Sequence, residues 1–315
     1  FGYQSMTSPM TLQAFNTALQ SHGTMSLDQV LQPAIDYCMS GFAIRPRVLG
    51  FWLQPAQAGR IERAAVVNKL DAARKIYLSE NGALLNVGDI LKNPDMGRLY
   101  QRIGNEGIGI FYDGDVADLI AADMKANGGL LTRDDLADCA PTNIAPLIGS
   151  YRGFKVATNQ LPGGGLMILE MLNVLEQFDL AAMGHNSAQY IATVAEAMKY
   201  ATIDKDQFMG DPNFIDVPQD LLASKTRAAE IAAKIRVGEM ANIVRLNSGA
   251  PESKDTTHLV VADAAGNVVN VTHSLGSSSG VITDGLGFMY NNCMMVFDPR
   301  PGHVGSLAPG KARFT

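Results

Sequence analysis

The chain has 315 residues, of which 47% are apolar and 18% are charged, and its formal net charge is −6. This length and apolar fraction are enough for one large core or for two domains. An acidic balance without a basic stripe argues against nucleic acid or a membrane as partner, and no apolar run reaches the roughly 18 residues of a membrane helix. The three cysteines, Cys38, Cys139 and Cys293, have neither the spacing of a disulfide framework nor that of a zinc site, and we expect no metal and no cofactor.

Helices dominate the prediction for the first part of the chain, because apolar residues recur there at helical spacing. One helix is predicted over residues 27–39 and another over residues 116–126, with Asp115 as its N-cap. Thr132 followed by Asp135 has the spacing of a capping box and predicts the start of a short helix.

The middle of the chain is predicted to add one strand and three more helices. The strand is expected at residues 151–158, and the helices at 166–178, 188–202 and 228–235. Three glycines, Gly163 to Gly165, precede the first of these helices and have two readings. They can hold a phosphate at the helix N-terminus, or they can form a packing turn, which we favour because the lysine and spacing of a P-loop are missing.

A linker followed by a hairpin is predicted for the last part of the chain. Residues from about 246 to 255 are polar and poor in β-branched residues, which indicates an exposed, mobile linker. Two runs rich in β-branched residues follow, 256–262 and 268–274, with a turn cluster between them that contains Gly266 and Asn267. Because these runs are apolar almost throughout, we expect the hairpin to lie in the centre of a sheet.

The hairpin and its surroundings resemble the start of the small subunit of γ-glutamyltranspeptidases. The resemblance begins with Thr256-Thr257-His258 and continues through Gly266-Asn267 to Val271-Thr272-His273-Ser274. Further matches lie in the family's order along the chain: Gly23–Asp28, Gln32–Ala34, Gly41-Phe42, Phe111–Gly114, Asn127–Leu136, Tyr151–Gly153, Met171–Glu176, Gly184–Ala188, Glu196-Ala197, Gly210–Phe214, Gly285–Asn292 and Phe297-Asp298.

The resemblance implies an α+β fold, the four-layer αββα sandwich of the N-terminal-nucleophile hydrolases. Residues 1–255 would belong to a large subunit and residues 256–315 to a small subunit, both cut from one precursor, with a homodimer possible. In that family the large subunit begins well before Phe1 and the small subunit continues beyond Thr315, so we expect a longer protein. The compartment stays open between periplasmic or secreted and cytoplasmic.

The resemblance also implies an autocleaving enzyme with Thr256 as its nucleophile. Cleavage between Asp255 and Thr256 would leave on Thr256 an α-amine with a pKa of about 7.7–8.0, able to take the Oγ proton. Ser274 falls where the family has a second hydroxyl that hydrogen-bonds the nucleophile, and Thr272 shares its strand face. His258 is read as structural, with a role as general base left open.

One departure from the family concerns the substrate pocket, which we expect to be formed by Ser277, Ser278, Asn292, Cys293 and Val296. The family's γ-glutamyl enzymes carry two acidic residues where this chain has Met295 and Val296. A pocket without the carboxylate would leave a substrate ammonium group unpaired. We therefore expect an amide hydrolase or acyltransferase acting on a small-molecule amide other than a standard γ-glutamyl compound. The alternatives are a true γ-glutamyltransferase or glutathione hydrolase, and a catalytically inactive scaffold.

Overall fold

A computed structural model describes residues 1–54, 62–243, 256–276 and 278–312. The predicted linker at about 246–255, including Asp255, therefore lies outside the described residues, as does Ser277. The described residues form two compact units, one of residues 1–142 with 256–295 and the other of residues 143–243 with 296–312. The first unit thus contains residues from both sides of the expected cleavage point, whose assignment to two subunits stays a prediction.

Helices and short antiparallel strands make up both units. The α-helices of the described residues are α1 Thr11–His22, α2 Leu27–Ser40, α3 Pro46–Trp52, α4 Arg63–Val67, α5 Asp71–Tyr77, α6 Pro94–Glu106, α7 Gly109–Asp113, α8 Asp115–Ala126, α9 Arg133–Ala137, α10 Gly165–Leu175, α11 Ala188–Phe208, α12 Gln219–Leu222 and α13 Lys225–Arg236. The strands are β1 Phe42–Ala43, β2 Ile90–Leu91, β3 Leu147–Tyr151, β4 Phe154–Thr158, β5 Thr256–Ala262 and β6 Val268–Ser274, and each consecutive pair forms a two-stranded sheet.

Local signals predicted three helices of the first unit, α2, α8 and α9. Helix α2 covers the predicted range, and Ser26 N–H donates to Gln29 Oε1 at its start. Helix α9 begins as expected, because the Thr132 side chain accepts a hydrogen bond from Asp135 N–H. The predicted N-cap of α8 was wrong: Gly114 is the N-cap, and Asp115 is the first helical residue. Asp115 instead forms a bidentate ion pair with Arg102, whose two Nη atoms donate to the two carboxylate oxygens.

The core of the first unit joins helices to the chain that follows the hairpin. One face of α8 is fully buried and includes Val116, Ile120 and Met124. Leu286 and Tyr290 pack in the same cluster. Each buried aliphatic side chain of this size contributes about 1.5–3 kcal/mol, so the segment after β6 is held by the helices of this unit.

In the second unit the predicted strand at residues 151–158 was wrong in extent. It is the second half of a hairpin, because Arg152 and Gly153 adopt φ angles of 48° and 84° and reverse the chain between β3 and β4. A turn with two positive φ angles matches the twist of paired strands. Helices α11 and α13 are longer than predicted, and Ser187 and Ser224 cap their N-termini with side-chain hydrogen bonds.

Three ionisable side chains meet in the interior of the second unit, one from each of α10, α11 and α13. Arg227 donates to Asp204 through Nε at 3.0 Å and through Nη2 at 2.6 Å. Glu170 lies beside them, and neither of its oxygens accepts a hydrogen bond from the described residues. Burial, together with the neighbouring Asp204, raises the pKa of Glu170 to about 9. A neutral Glu170 that donates its own proton to Asp204 accounts for both observations.

The predicted hairpin of the first unit is present, as β5 and β6, with Thr256 opposite Ser274 and Ala262 opposite Val268. Its predicted burial was wrong for the described part of the chain. Every residue of β5 is exposed, and no other described strand pairs with either β5 or β6. The apolar residues predicted a place in the centre of a sheet, which needs further strands beside the hairpin, and no third strand pairs with it among the described residues.

Candidate functional site

The first element of the site is a pair of hydroxyl groups at the open end of the β5–β6 hairpin. Thr256 Oγ1 donates to Ser274 Oγ at 3.2 Å, and the two residues are Cα partners in the strand register. Ser274 Oγ also accepts from Gly276 N–H at 3.1 Å. Ser274 Oγ is thus held by the backbone that follows it and is directed at Thr256, which is exposed at the start of its strand. Their roles as nucleophile and supporting hydroxyl stay predictions.

The second pair lies on the next rung of the same strand face. His258 Nδ1 and Thr272 Oγ1 are 2.9 Å apart, and the two residues are again Cα partners. Alternate residues of a strand share a face, so this pair lies beside Thr256 and Ser274. The structure places Thr272 against His258 rather than against Thr256. His273, on the opposite face, makes a tilted ring contact with Phe15, with centroids 6.1 Å apart.

The expected pocket residues Asn292 and Cys293 lie against the exit of the hairpin. Asn292 N–H donates to the Leu275 carbonyl at 2.8 Å. Gly276 has a φ of 69°, and a Cβ placed on it would be 3.3 Å from the Asn292 carbonyl oxygen and 3.6 Å from Cys293 Sγ. Both residues are buried, and Asn292 Oδ1 has no hydrogen-bond partner among the described residues. The chain therefore brings these two residues close to Ser274.

The other residues expected at the pocket and at the cleavage point are Ser278, Val296, Ser277 and Asp255. Ser278 is half-buried, two residues beyond Gly276. Val296 ends a short 3₁₀-helix, Cys293–Val296, and its side chain is exposed. Ser277 and Asp255 lie outside the described residues. Within the described ranges, no group of three or more His, Cys, Asp and Glu side chains is placed to hold a metal ion, and no helix is long and apolar enough to cross a membrane.

Sequence reasoning missed a partly buried polar network that supports the chain after the hairpin. Asp123 accepts from Thr283 Oγ1 at 2.6 Å and from the Tyr3 hydroxyl at 3.1 Å, and the Tyr290 hydroxyl lies 2.8 Å from Thr283 Oγ1. Burial and the Asp123 carboxylate raise the pKa of Tyr3 to about 12, and burial also raises that of Tyr290. The two phenols therefore stay protonated. No local pattern marks this network, because its members come from distant parts of the chain.

Sequence comparison gives one family across nearly the whole chain. The family model described as gamma-glutamyltranspeptidase matches residues 1–314. The glutathione hydrolase proenzyme of Escherichia coli (strain K12) is 34% identical over 312 residues, which cover 96% of this chain and 52% of that protein. The acylase ACY 1 proenzyme of Pseudomonas sp. (strain V22) is 35% identical over 321 residues, covering 100% of this chain and 55% of that protein. The chain thus spans about half the length of the curated relatives it matches.

Solved structures give a concordant result. The cephalosporin acylase from Bacillus halodurans superimposes with a TM-score of 0.83 at 26% identity, over 100% of this chain and 56% of that one. The γ-glutamyltranspeptidase of Helicobacter pylori superimposes with a TM-score of 0.68 at 32% identity, over 74% of this chain and 65% of that one. The mixture of helices and strands is therefore that of γ-glutamyltranspeptidases and related acylases.

Proposed function

The chain belongs to the γ-glutamyltranspeptidase family, and from this membership we propose that it is part of an autoprocessing amide hydrolase or acyltransferase whose nucleophile is Thr256. The observation that carries the proposal is the 3.2 Å contact of Thr256 Oγ1 with Ser274 Oγ at the start of β5. Two relatives from different activity groups, a glutathione hydrolase and an acylase, are both named proenzymes, which supports a precursor that is cut.

Self-cleavage is the first reaction of the proposed mechanism. Thr256 Oγ attacks the carbonyl carbon of Asp255, the C–N bond breaks, and the acyl group moves from the Thr256 nitrogen to its oxygen. Water then hydrolyses this ester, releasing the Asp255 carboxylate and a free Thr256 α-amine. Ser274 orients the Thr256 hydroxyl for the attack, and the β-branch of threonine restricts χ1 to few values.

Substrate turnover uses the same oxygen with the new amine as base. The α-amine has an ordinary pKa of about 7.7–8.0, so near neutral pH part of it is unprotonated and can accept the Oγ proton. Oγ forms an acyl ester with the substrate and the amine of the substrate leaves with a proton. Water or an acceptor amine then takes the acyl group and restores the hydroxyl. Thr272 would hold the His258 ring in place on the rung beside Thr256, without a bond of its own to Thr256 Oγ1.

The substrate is proposed to be a small-molecule amide whose acyl group carries no ammonium ion that needs a carboxylate partner. Ser277, Ser278, Asn292, Cys293 and Val296 would line the pocket. Their segment has apolar Met295 and Val296 where γ-glutamyl enzymes carry acidic residues. A true γ-glutamyl enzyme is the second candidate, and the E. coli relative favours it. An inactive scaffold is disfavoured by the intact pair of Thr256 and Ser274.

The same proposal includes the fold and the subunits of the complete protein. The complete protein would have the four-layer αββα sandwich, with residues 1–255 in the large subunit and residues 256–315 in the small subunit. The exposed strands β5 and β6 would then lie inside one of its sheets. Association of two such molecules as a homodimer is compatible with the proposal and is tested by the mass of the native assembly.

The experiment that tests the proposal is the intact mass of the full-length protein after incubation, for the native sequence and for Thr256→Ala. We expect two fragments with a new N-terminus at Thr256 in the native protein and one uncut chain in the variant. A panel of amides, including γ-glutamyl and simple acyl compounds, then separates the two enzyme candidates. A native protein that stays uncut and inactive would overturn the nucleophile and favour the scaffold.

A further inference from the structure

The side chain of Asn291 pairs with the backbone of Thr7, which lies 284 residues earlier in the chain. Thr7 N–H donates to Asn291 Oδ1 at 3.0 Å, and Asn291 Nδ2 donates to the Thr7 carbonyl at 2.8 Å. The Thr7 hydroxyl donates to the same Oδ1 at 3.2 Å. Because the amide satisfies both backbone groups of Thr7, it holds the two segments together as a paired strand residue would.

The same side chain orders the residues that follow it. Cys293 N–H donates to Asn291 Oδ1 at 3.0 Å, which closes an Asx turn. One residue further on, Met294 N–H donates to the carbonyl of the buried Ser5 at 3.0 Å. The segment 291–294 is therefore fastened at both of its ends to residues 5–7.

A backbone hydrogen bond connects this segment to the end of the β5–β6 hairpin. Asn292 N–H donates to the Leu275 carbonyl at 2.8 Å. Leu275 directly follows Ser274, whose Oγ accepts from Thr256 Oγ1. A continuous series of contacts thus runs from Thr7, through Asn291 and Leu275, to the hydroxyl of Thr256.

We propose that Asn291 is a positioning residue for the nucleophile, which it serves by binding Thr7 and thereby fixing the segment that holds Ser274 against Thr256. This inference rests on the proposed role of Thr256. Loss of the Asn291 amide releases Thr7 and Cys293 together and leaves Leu275 bound to a segment that keeps only the Met294–Ser5 hydrogen bond to residues 5–7. A displacement of about 1 Å at a reacting group lowers a rate by up to about 100-fold. Self-cleavage and turnover use the same Oγ, so both rates fall together.

The test compares three variants in the full-length protein by the rate of self-cleavage, by kcat and KM on an amide that the native protein turns over, and by thermal unfolding. For Asn291→Ala we expect self-cleavage and kcat to fall by a similar factor, about tenfold or more, with KM changed by less than about twofold. Asn291→Asp keeps the Oδ1 acceptor for Thr7 and Cys293 but replaces the donor to the Thr7 carbonyl by a carboxylate oxygen, and we expect a smaller loss than for Asn291→Ala. Asn81→Ala is the matched control, because Asn81 is an exposed turn residue whose Oδ1 accepts from Ala83 N–H, and we expect native rates.

The outcomes separate a positioning role from a pocket or folding role. A rise in KM with native self-cleavage would assign Asn291 to the pocket alone and overturn the proposal, as would native values throughout. If Asn291→Ala does not fold, the Asn291→Asp variant decides: equal losses of self-cleavage and kcat support the proposal, and native rates overturn it. A native protein that never cuts itself would overturn the nucleophile first and this inference with it.

Discussion

Thr256 and Ser274 are Cα partners at the open end of the β5–β6 hairpin, and their hydroxyl oxygens lie 3.2 Å apart. The pairing of two hydroxyl residues across an antiparallel ladder gives the first one a fixed hydrogen-bond acceptor. In this geometry the Oγ1 proton of Thr256 points across the strand pair toward Ser274 Oγ, which leaves a lone pair of Oγ1 for the proposed attack on a carbonyl carbon. The supporting oxygen is itself held by Gly276 N–H.

Removal of the supporting hydroxyl is expected to slow both self-cleavage and turnover. Ser274→Ala deletes the acceptor for Thr256 Oγ1 and the acceptor for Gly276 N–H. A hydrogen bond with a net value of about 1 kcal/mol corresponds to about a fivefold change in rate, and two lost bonds set the upper range near 30-fold. Rates of self-cleavage followed by intact mass measure this. Ser274→Thr keeps the hydroxyl and serves as the control, and a native rate for Ser274→Ala would contradict the proposed support.

The hydroxyl of Thr272 is expected to matter less. Thr272→Val removes the partner of His258 Nδ1 and leaves the Thr256–Ser274 contact in place. We expect self-cleavage within about twofold of the native rate, since no bond to the nucleophile is lost. The same mass assay measures it. A loss as large as that of Ser274→Ala would show that the His258–Thr272 pair acts on the nucleophile, and would reopen the role of His258 as a base.

An acidic residue at position 296, one of the expected pocket residues, is expected to change substrate preference. Val296→Asp places a carboxylate where the γ-glutamyl enzymes of the family carry one. If an ammonium group of the substrate reaches it, a gain of about 1.4 kcal/mol in transition-state binding corresponds to about tenfold in kcat/KM for γ-glutamyl amides. The kcat/KM for simple acyl amides should not rise. Leu130→Asp, at an exposed apolar residue, controls for added charge, and an equal gain for both substrate types would contradict the assignment.

Glu170→Gln is expected to stabilise the second unit increasingly as the pH rises. The pKa of Glu170 in the folded protein, about 9, lies above its ordinary value of 4.5, chiefly because of burial and also because of Asp204. Above pH 4.5 the Glu170 carboxyl of the unfolded chain releases a proton that the folded protein retains. The contribution of Glu170 to the free energy of unfolding therefore falls between pH 4.5 and about 9. Glutamine, which stays neutral, avoids this loss.

Thermal unfolding at pH 5, 7 and 9 measures the effect as a difference in midpoint between Glu170→Gln and the native protein. The difference should grow with pH. Glu106→Gln is the control, because the pKa of Glu106 is shifted in the opposite direction: Arg102 lowers it. The ionised Glu106 side chain therefore contributes to stability at every pH above the ordinary carboxyl range. A difference that is constant from pH 5 to pH 9 would show that Glu170 is ionised in the folded protein.

Several features encoded within a few residues were predicted from the sequence, whereas contacts between distant residues were not. The cap at Thr132 and the turn of the β5–β6 hairpin follow from local chemistry and were predicted. Burial of that hairpin was inferred from composition, and among the described residues this inference was wrong, because every residue of β5 is exposed. The pairing of Asn291 with Thr7 joins positions far apart in the chain. Both are ordinary polar residues at positions that no periodic pattern marks, so a single sequence offered no signal for their contact.

The turn of the β5–β6 hairpin determines which residue faces Thr256. Asp263 closes this turn, because its side chain accepts from the backbone N–H groups of Ala265 and Asn267 and from the Asn267 side chain. Strand pairing propagates from there over seven residue pairs, about 20 Å at 3.3 Å per residue. One inserted or deleted residue in the turn that shifts the ladder by one position would bring His273 or Leu275 opposite Thr256. An exposed turn usually tolerates length changes, but a change of length in this turn would move Ser274 away from its place opposite Thr256.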